Sequence, residues 1–578
     1  MPLVRRFRLP ALFCALAVLV CELAAQPYAN MGIADDGPYV LTARTLATTG
    51  HIGYNGWVSA MLGWQLYLGA AFIKLFGFSY TAVRMTALLV AMALAIILQR
   101  TLVRVGITDR NATIGTLAFV LSPLYLILSV TFMTDLPGLF AIVLCLYGCL
   151  RSLQASTSRA AIAWLCFAVA TNAIGGTSRQ IAWLGILVIV PPTLWLLRSQ
   201  RRVLIAGAAA TLLGVGFILA CTHWFSLQPY TVPPADHLFV RSIRIQATLI
   251  DFANFFLNFP FLLLPLVALF FPTIRNSRPR TLAILYALLV GYLFLAIYPS
   301  HLRGLFPMEP TFPQHFGFNT YGMFDYTWLQ GGQPILFGKA VQALLTIASL
   351  GGLIGLIASF FRAHPMPSTA HLSAGISWKR LCLLLAPFTI AYLFIILPRP
   401  STFGLYERYA LPLLFIALVC LVRYYQERIH PQLPLISILL VAIMAIFGVA
   451  ITHNTFALYH ARVAMAAELR AAGVPDTSAD NGWEYNFGVQ IQHAGYINES
   501  KIVLPANAYT PAPPLPPGTC PMHFHDETPI IHPLYGISFD PDACYGPAPF
   551  APVHYSRWPY RTPGTLYVVR YTPPDAKP

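Results

Sequence analysis

Charge is what this sequence has least of. Asp, Glu, Lys and Arg make up 10% of its 578 residues, while 57% are hydrophobic. A soluble domain carries about a quarter charged residues because its surface faces water, so a soluble particle of this size is excluded and a lipid-facing one implied. Acidic charge is scarcer still: 21 Asp and Glu stand against 36 Lys and Arg, for a formal net charge of +15. In a soluble protein that excess would point to nucleic acid or an acidic surface. The chain has no basic–aromatic stripe of the kind that follows a nucleic-acid backbone, and no nucleic-acid partner is expected. P-loop and dinucleotide-binding glycine motifs are missing as well, so no nucleotide site is implied. Closed metal-site spacing is missing too. His523, His525, Asp526 and His532 cluster in sequence without matching a structural zinc pattern, and they read as solvated loop residues.

What the chain has instead is apolar length. About 20 apolar residues cross roughly 30 Å of hydrocarbon as a helix. Candidate spans on that measure lie near 9–26, 79–102, 111–130, 136–153, 160–175, 180–198, 203–225, 250–272, 281–299, 334–361, 380–398, 409–425 and 432–452. The expectation is an all-α polytopic membrane protein of about 13 transmembrane helices. Short basic loops separate alternate pairs: Arg5, Arg6 and Arg8; Arg100, Arg104 and Arg110; Arg151 and Arg159; Arg198, Arg201 and Arg202; Arg275, Arg278 and Arg280; Arg362, Lys379 and Arg380; Arg423 and Arg428. The intervening loops are longer and less basic. This is the positive-inside pattern; it places the N-terminus in the cytoplasm and, with an odd number of spans, the C-terminal tail outside the cytoplasmic (inner) membrane. The first span has a basic start and small residues at Ala24 and Ala25, as a signal peptide does, but reads as an uncleaved anchor. Cys21 has no lipobox, since Val20 precedes it.

One apolar stretch is better kept out of the bilayer. Residues 57–77 are rich in Trp and Tyr and contain Lys74, and counting them as a span would invert every later loop. They read as an amphipathic helix lying in the interface, with 37–48 as a second one in the same first outer loop. From about 455 the long apolar runs stop and proline becomes dense. The division expected is therefore a membrane domain over 1–454 and a small α/β extracytoplasmic domain over 455–578, with strand-like pieces such as Leu566–Val569. Of ten cysteines only Cys520 and Cys544 fall in this tail. An oxidising compartment lets them pair; the others lie in or beside apolar spans, where free Cys acts as a small hydrophobe.

Ionisable groups beside apolar spans are costly and often functional. The topology gathers Asp35 and Asp36, Asp135, Arg179, Glu407 and Arg408 on one outer face. Two adjacent carboxylates such as Asp35 and Asp36 can hold a divalent cation, or one can act as a general base; an Asp before Gly-Pro also commonly caps a helix. Asp135, before Leu-Pro, carries the same pair of readings. Arg179 fits planar two-donor pairing with a lipid phosphate or plain interfacial anchoring. Tyr406, Glu407, Arg408 and Tyr409 fit an aromatic belt with a local ion pair.

In combination these features resemble the C-type, polyprenyl-phosphate-dependent glycosyltransferase superfamily. The resemblance rests on the acidic pair after the first span with Tyr39 and the interfacial helices behind it, and on Ser122–Pro123 followed by Thr134–Asp135–Leu136–Pro137. Arg408–Tyr409–Ala410–Leu411–Pro412 at the start of a late span completes it. It covers about 1–450 and looks towards bacterial lipid A aminoarabinose transferases and protein O-mannosyltransferases. It implies transfer of a sugar from a polyprenyl-phosphate carrier to an envelope acceptor, with lipid-linked sugar and bilayer as partners. Asp35 matches the superfamily's first-loop catalytic carboxylate, Asp36 stands where many relatives have Glu, and Asp135 resembles the second carboxylate. Tyr39, Arg179, Arg408 and Tyr409 are the implied substrate-binding residues, and Asp35 and Asp36 the candidates for any divalent cation. The outer loops 226–249 and 300–333 are long enough to fold over the carrier; they bring Asp236, His237, Arg241, Arg244, His301, Arg303, Glu309 and Asp325. Two other readings stay open: a multi-span transporter or flippase, which would place its polar groups near mid-membrane and often in repeated halves, and a relative that binds carrier lipid without catalysis.

Overall fold

The computed structural model describes residues 9–61, 63–233, 259–275, 329–334, 339–361, 375–399 and 405–573, with isolated residues and short pieces between 248 and 287. Five helices begin where a hydroxyl side chain takes up a free backbone N–H. Ser79 accepts from Ala82, Thr108 from Asn111, Ser122 from Tyr125, Thr157 from Ala160 and Ser377 from Arg380.

In chain order the helices are α1 (Leu9–Ala25), α2 (Asp36–Thr49), α3 (Trp64–Phe76), α4 (Tyr80–Arg104), α5 (Asp109–Val120), α6 (Pro123–Ser129), α7 (Asp135–Leu153) and α8 (Ser158–Gly176). Then follow α9 (Gln180–Leu196), α10 (Arg201–Ser226), α11 (Leu264–Arg275), α12 (Lys339–Phe360), α13 (Trp378–Ile396), α14 (Leu411–Arg428) and α15 (Leu435–Ala471). Three depart from regular form: α6, α9 and α11, the last with a 3-10 turn at Ala268–Phe270. Pro123 opens α6 after a 70° bend from α5. Pro191 and Pro192 have no N–H to give, and the turns before them widen to a π-helix at Gly185–Ile189.

Among the described residues, seven of these helices are long and apolar enough to cross a membrane, or eight if the bent pair α5–α6 is one span, and four shorter apolar helices accompany them. The chain is thus a mostly helical protein with multiple membrane-crossing candidates. Among the described residues the count stops short of the thirteen read from sequence, because α1, α9, α11 and the described apolar part of α12 are short or interrupted. The span expected near 281–299 lies almost wholly outside the described residues, as do Asp236, His237, Arg241, Arg244, His301, Arg303, Glu309 and Asp325.

The segment between α1 and α4 departs from its expected form. The 37–48 stretch is helical as α2, but only 64–76 of the 57–77 stretch is, as α3. The part before it pairs instead: Ser59 bridges Val232, Gly56 N–H donates to the Tyr230 carbonyl at 2.8 Å, and Gly63 enters α3 with a φ of 64°. Backbone hydrogen bonds to the 230–232 segment have replaced the first turns of the helix.

At the C-terminal end, α15 is 37 residues long, about 55 Å at 1.5 Å per residue and well over the thickness of a hydrocarbon core. The change of composition near 455 therefore falls inside one continuous helix. After α15 come β1 (Ala479–Asp480), α16 (Trp483–Ala494), β2 (Tyr535–Ser538), β3 (Val553–Tyr555) and β4 (Gly564–Arg570). The sheet order is β1-β2-β4-β3, parallel between β1 and β2 and antiparallel elsewhere. Cys520 and Cys544 are joined by a disulfide, their Cα atoms 5.8 Å apart. Arg462 of α15 and Glu484 of α16 are both 0% exposed and pair at 3.0 Å, with Tyr459 donating to Glu484 and Arg462 to the Asn481 carbonyl. A buried pair of this kind costs about 3–5 kcal/mol when one partner is removed, so it locks the tail onto the long helix.

Candidate active site

The site is assembled at helix ends: the start of α2, the loop before α7, the loop between α8 and α9, and the 3-10 turn Glu407–Ala410 that leads into α14. Asp35 occupies the N-cap position of α2 but makes no capping hydrogen bond. One carboxylate oxygen accepts from the Trp57 indole N–H at 3.3 Å and the other from Arg408 at 2.6 Å. Its side chain keeps 29% exposure. Ala34 before it has a φ of 49°, a left-handed conformation that costs an L-residue about 1–2 kcal/mol. That turn aims the carboxylate away from the helix end it would otherwise cap.

Asp36 points the other way. It is completely buried, and both oxygens are engaged by Arg84 at 2.7 and 3.0 Å, with Ile33 N–H at 2.8 Å and Phe132 N–H at 3.2 Å also donating. Arg84 also donates to the Ala29 and Met31 carbonyls, each at 2.7 Å. Asp36 thus ties the 29–36 turn to α4 and to the corner before Asp135. The adjacent carboxylates do not converge, and a cation at this pair would find only Asp35 open. The described residues contain no group of three or more His, Cys, Asp or Glu able to hold a metal ion, so the residues present do not fit a divalent cation at the acidic pair.

Asp135 starts α7 and is 1% exposed. Its ion pair to Arg179 spans 3.0 Å, yet neither oxygen accepts a well-aligned hydrogen bond. Arg179 also donates to the Thr134 hydroxyl at 3.0 Å. Gly138, one turn into α7, makes this approach possible. A Cβ there would lie 2.8 Å from the Arg179 Cδ and 2.9 Å from its Cβ.

The third component is a ring of guanidinium groups around Tyr409. Arg399 lies 4.5 Å from the ring centroid, Arg179 5.4 Å and Arg408 5.6 Å, while Arg408 also sits 4.5 Å over Tyr406. Arg399 donates to the Tyr409 hydroxyl at 2.9 Å, and the Tyr392 hydroxyl fixes the turn by donating to the Tyr409 carbonyl at 2.7 Å. Tyr39, in α2, faces the same group. Burial pushes its phenol above the usual range; Asp35 and Asp135 add to that, and Arg179 and Arg408 oppose it.

The structure therefore brings together Asp35, Tyr39, Asp135, Arg179, Arg408 and Tyr409, and sets Asp36 apart as the partner of Arg84. Sequence reading passes over Arg84, Trp57, Tyr392 and Arg399. Arg84 did leave a signal, as a charge one turn into a helix that then stays uncharged until Arg100; Trp57 left none, because its role depends on a contact 22 residues away. Chemically, the site offers a partly exposed carboxylate beside planar, always-charged donors that match a phosphate.

No family model matches the sequence, and no curated protein does. Among solved structures, ArnT from Cupriavidus metallidurans bound to undecaprenyl phosphate is similar over 97% of this chain and 98% of its own, at 13% identity and a TM-score of 0.36. The oligosaccharyltransferase AglB from Archaeoglobus fulgidus, in complex with an inhibitory peptide and a dolichol-phosphate, is covered over 64% of its length by 90% of this chain, at 14% identity and a TM-score of 0.40. The S. cerevisiae protein O-mannosyltransferase complex bound to the sugar donor is covered over 33% by 38% of this chain, at 14% identity and a TM-score of 0.32. This chain thus spans about a third of the last and under two thirds of AglB. These neighbours are C-type glycosyltransferases, the superfamily the sequence resembles. At such identities and TM-scores the likeness carries no argument about chemistry, which rests on the geometry of the site.

Proposed function

We propose that this chain is a membrane glycosyltransferase that moves a sugar from a polyprenyl-phosphate carrier to an envelope acceptor (a lipid, glycan or protein) at the outer face of the cytoplasmic membrane. The observation that carries the reading is Asp35. It stands at a helix start without capping it and stays partly exposed, with Arg408 on one oxygen and three guanidinium groups gathered around the neighbouring Tyr409.

A sugar on a lipid phosphate is already activated, so a base and a phosphate site suffice. Asp35 takes the proton of the acceptor hydroxyl as that oxygen attacks the anomeric carbon. The bond between the anomeric carbon and the phosphate oxygen breaks, its electron pair leaves with the carrier phosphate, and the proton passes from Asp35 to water. Arg408 connects the two halves, touching the base while facing the position of the leaving phosphate. Arg179 and Arg399 add positive charge where negative charge develops, an effect typically worth several kcal/mol. Asp135 holds Arg179 in place.

The test is sugar transfer from a polyprenyl-phosphate donor in reconstituted vesicles. Asp35→Asn is expected to lower turnover by about 100- to 10,000-fold, the range of a lost general base, with donor binding retained; full turnover would refute the assignment. Reporter fusions near 155 and after 471 are expected on opposite sides of the membrane, with the N-terminus cytoplasmic and the C-terminal domain outside.

One observation favours a transporter or flippase: the 70° break between α5 and α6, since broken helices line many transport sites. That break, Phe119 to Pro123, carries no ionisable residue, and the charged groups collect at helix ends instead. Carrier translocation by the Asp35→Asn protein in sealed vesicles, without transfer by the native protein, would support the transport reading.

A further inference from the structure

Trp57 is the one contact of Asp35 that the tail controls. Its indole N–H donates to an Asp35 oxygen at 3.3 Å while Arg408 holds the other oxygen. Trp57 lies outside helical structure, between Gly56 with a φ of 82° and the Ser59 bridge to Val232. What fixes the ring comes from α16. Phe487 stands edge-on at 4.4 Å, and Trp483 is tilted against it at 4.9 Å. Phe524 backs both, 6.0 Å from Trp483 and 5.8 Å from Phe487.

α16 is in turn immobilised by the buried Glu484–Arg462 pair. Its approach to the first outer loop is close at Gly32, where a Cβ would lie 3.0 Å from the Gly37 Cα and 3.9 Å from the Glu484 Cβ. A continuous packed path therefore runs from the tail, through two aromatic rings, to the carboxylate of the site.

We propose that Trp57 is a positioning residue for Asp35, and that the C-terminal domain takes part in catalysis by clamping it. The proposal rests on the glycosyltransferase reading given above. An N–H held at fixed distance restricts the carboxylate to one rotamer, leaving the lone pairs not taken by Trp57 and Arg408 to face the acceptor hydroxyl. The tail is then more than a cover, because loosening its aromatic residues lets the base turn.

The experiment is steady-state transfer by the full chain with Trp57→Phe, Trp483→Ala and the double variant, alongside Asp35→Asn, with thermal unfolding in detergent measured for each. Trp57→Phe keeps an aromatic ring beside Phe487 and Trp483, though a smaller one, and removes the donor. It is expected to lower kcat by about tenfold, the size of one hydrogen bond to a charged group, with the KM for donor and acceptor unchanged. Trp483→Ala is expected to lower kcat several-fold, and the double variant to be no worse than Trp57→Phe, because both act through the same contact.

The proposal is overturned if Trp57→Phe keeps native kcat, if its loss lies in KM alone, or if the losses of the single variants multiply. Failure of the underlying reading looks different, since Asp35→Asn itself would then transfer sugar at the native rate. A variant that unfolds at lower temperature yet keeps native kcat marks the clamp as structural only and also overturns the proposal.

Discussion

Asp36 and Asp35 are neighbours in the chain and each meets an arginine, yet one pair is sealed and the other open. Asp36 is 0% exposed and satisfies four donors from three parts of the fold. Asp35 keeps 29% of its side-chain surface and has one donor on each oxygen. A carboxylate with every lone pair spoken for holds structure in place and has nothing left to offer a substrate. A carboxylate with spare lone pairs at a surface can accept a proton. The difference teaches that in an acidic pair the choice of partner, and not residue type, decides which member is available for chemistry.

The comparison breaks most visibly at Asp36. Asp36→Asn leaves Arg84 buried without its counter-charge, and the expected loss is about 3–5 kcal/mol, read as a large drop in thermal unfolding temperature in detergent or as failure to accumulate folded protein. Asp35→Asn removes a partner that is itself partly exposed and is expected to cost less stability than Asp36→Asn, while abolishing most transfer. Equal destabilisation by both substitutions would erase the distinction. Gly138→Ala sharpens it from the side of Arg179. The added methyl meets the arginine stem below contact distance, and overpacking of this kind costs about 1–3 kcal/mol. Transfer is expected to fall as well, because the displaced stem carries the guanidinium that pairs with Asp135.

The smallest effect belongs to another buried carboxylate, in the tail. Burial raises the Asp480 carboxyl above the ordinary aspartate range, against hydrogen bonds from Asn486, Tyr571 and Gly482 and the nearby His523. A raised folded-state pKa favours the protonated form. The stability it contributes is therefore complete below the ordinary aspartate pKa of about 3.9 and is lost as pH climbs through the raised value. Asp480→Asn is expected to flatten that slope in pH-dependent unfolding. Its amide oxygen keeps the bonds to Gly482 and Asn486, and its NH2 faces the Tyr571 hydroxyl, which turns to accept.

Much of this was legible in the chain itself. Ser79, Thr108, Thr157 and Ser377 mark helix starts, and Pro123 and Pro191–Pro192 mark two of the irregular helices, because caps and prolines act within four residues. The acidic pair, Asp135, Arg179 and the Arg408–Tyr409 element could be picked out because ionisable groups stand out against apolar runs. The extent of α3 was not legible. A tryptophan-rich apolar stretch has helical composition whether or not a distant segment claims its backbone, and Tyr230 and Val232 do. Nor was the run of α15 through residue 455, where composition changes but the backbone does not.

Lipid solubility, the places where helices can start and the short set of residues able to do chemistry were determined by the sequence alone, since each depends on local composition and spacing. The division of labour between Asp35 and Asp36 was decided only by the tertiary structure. Arg84 and Phe132 reach one carboxylate from 48 and 96 residues away, and Arg408 reaches the other from 373. Burial and partner geometry, which make one carboxylate structural and leave the other open, arise from contacts between segments that no local pattern records.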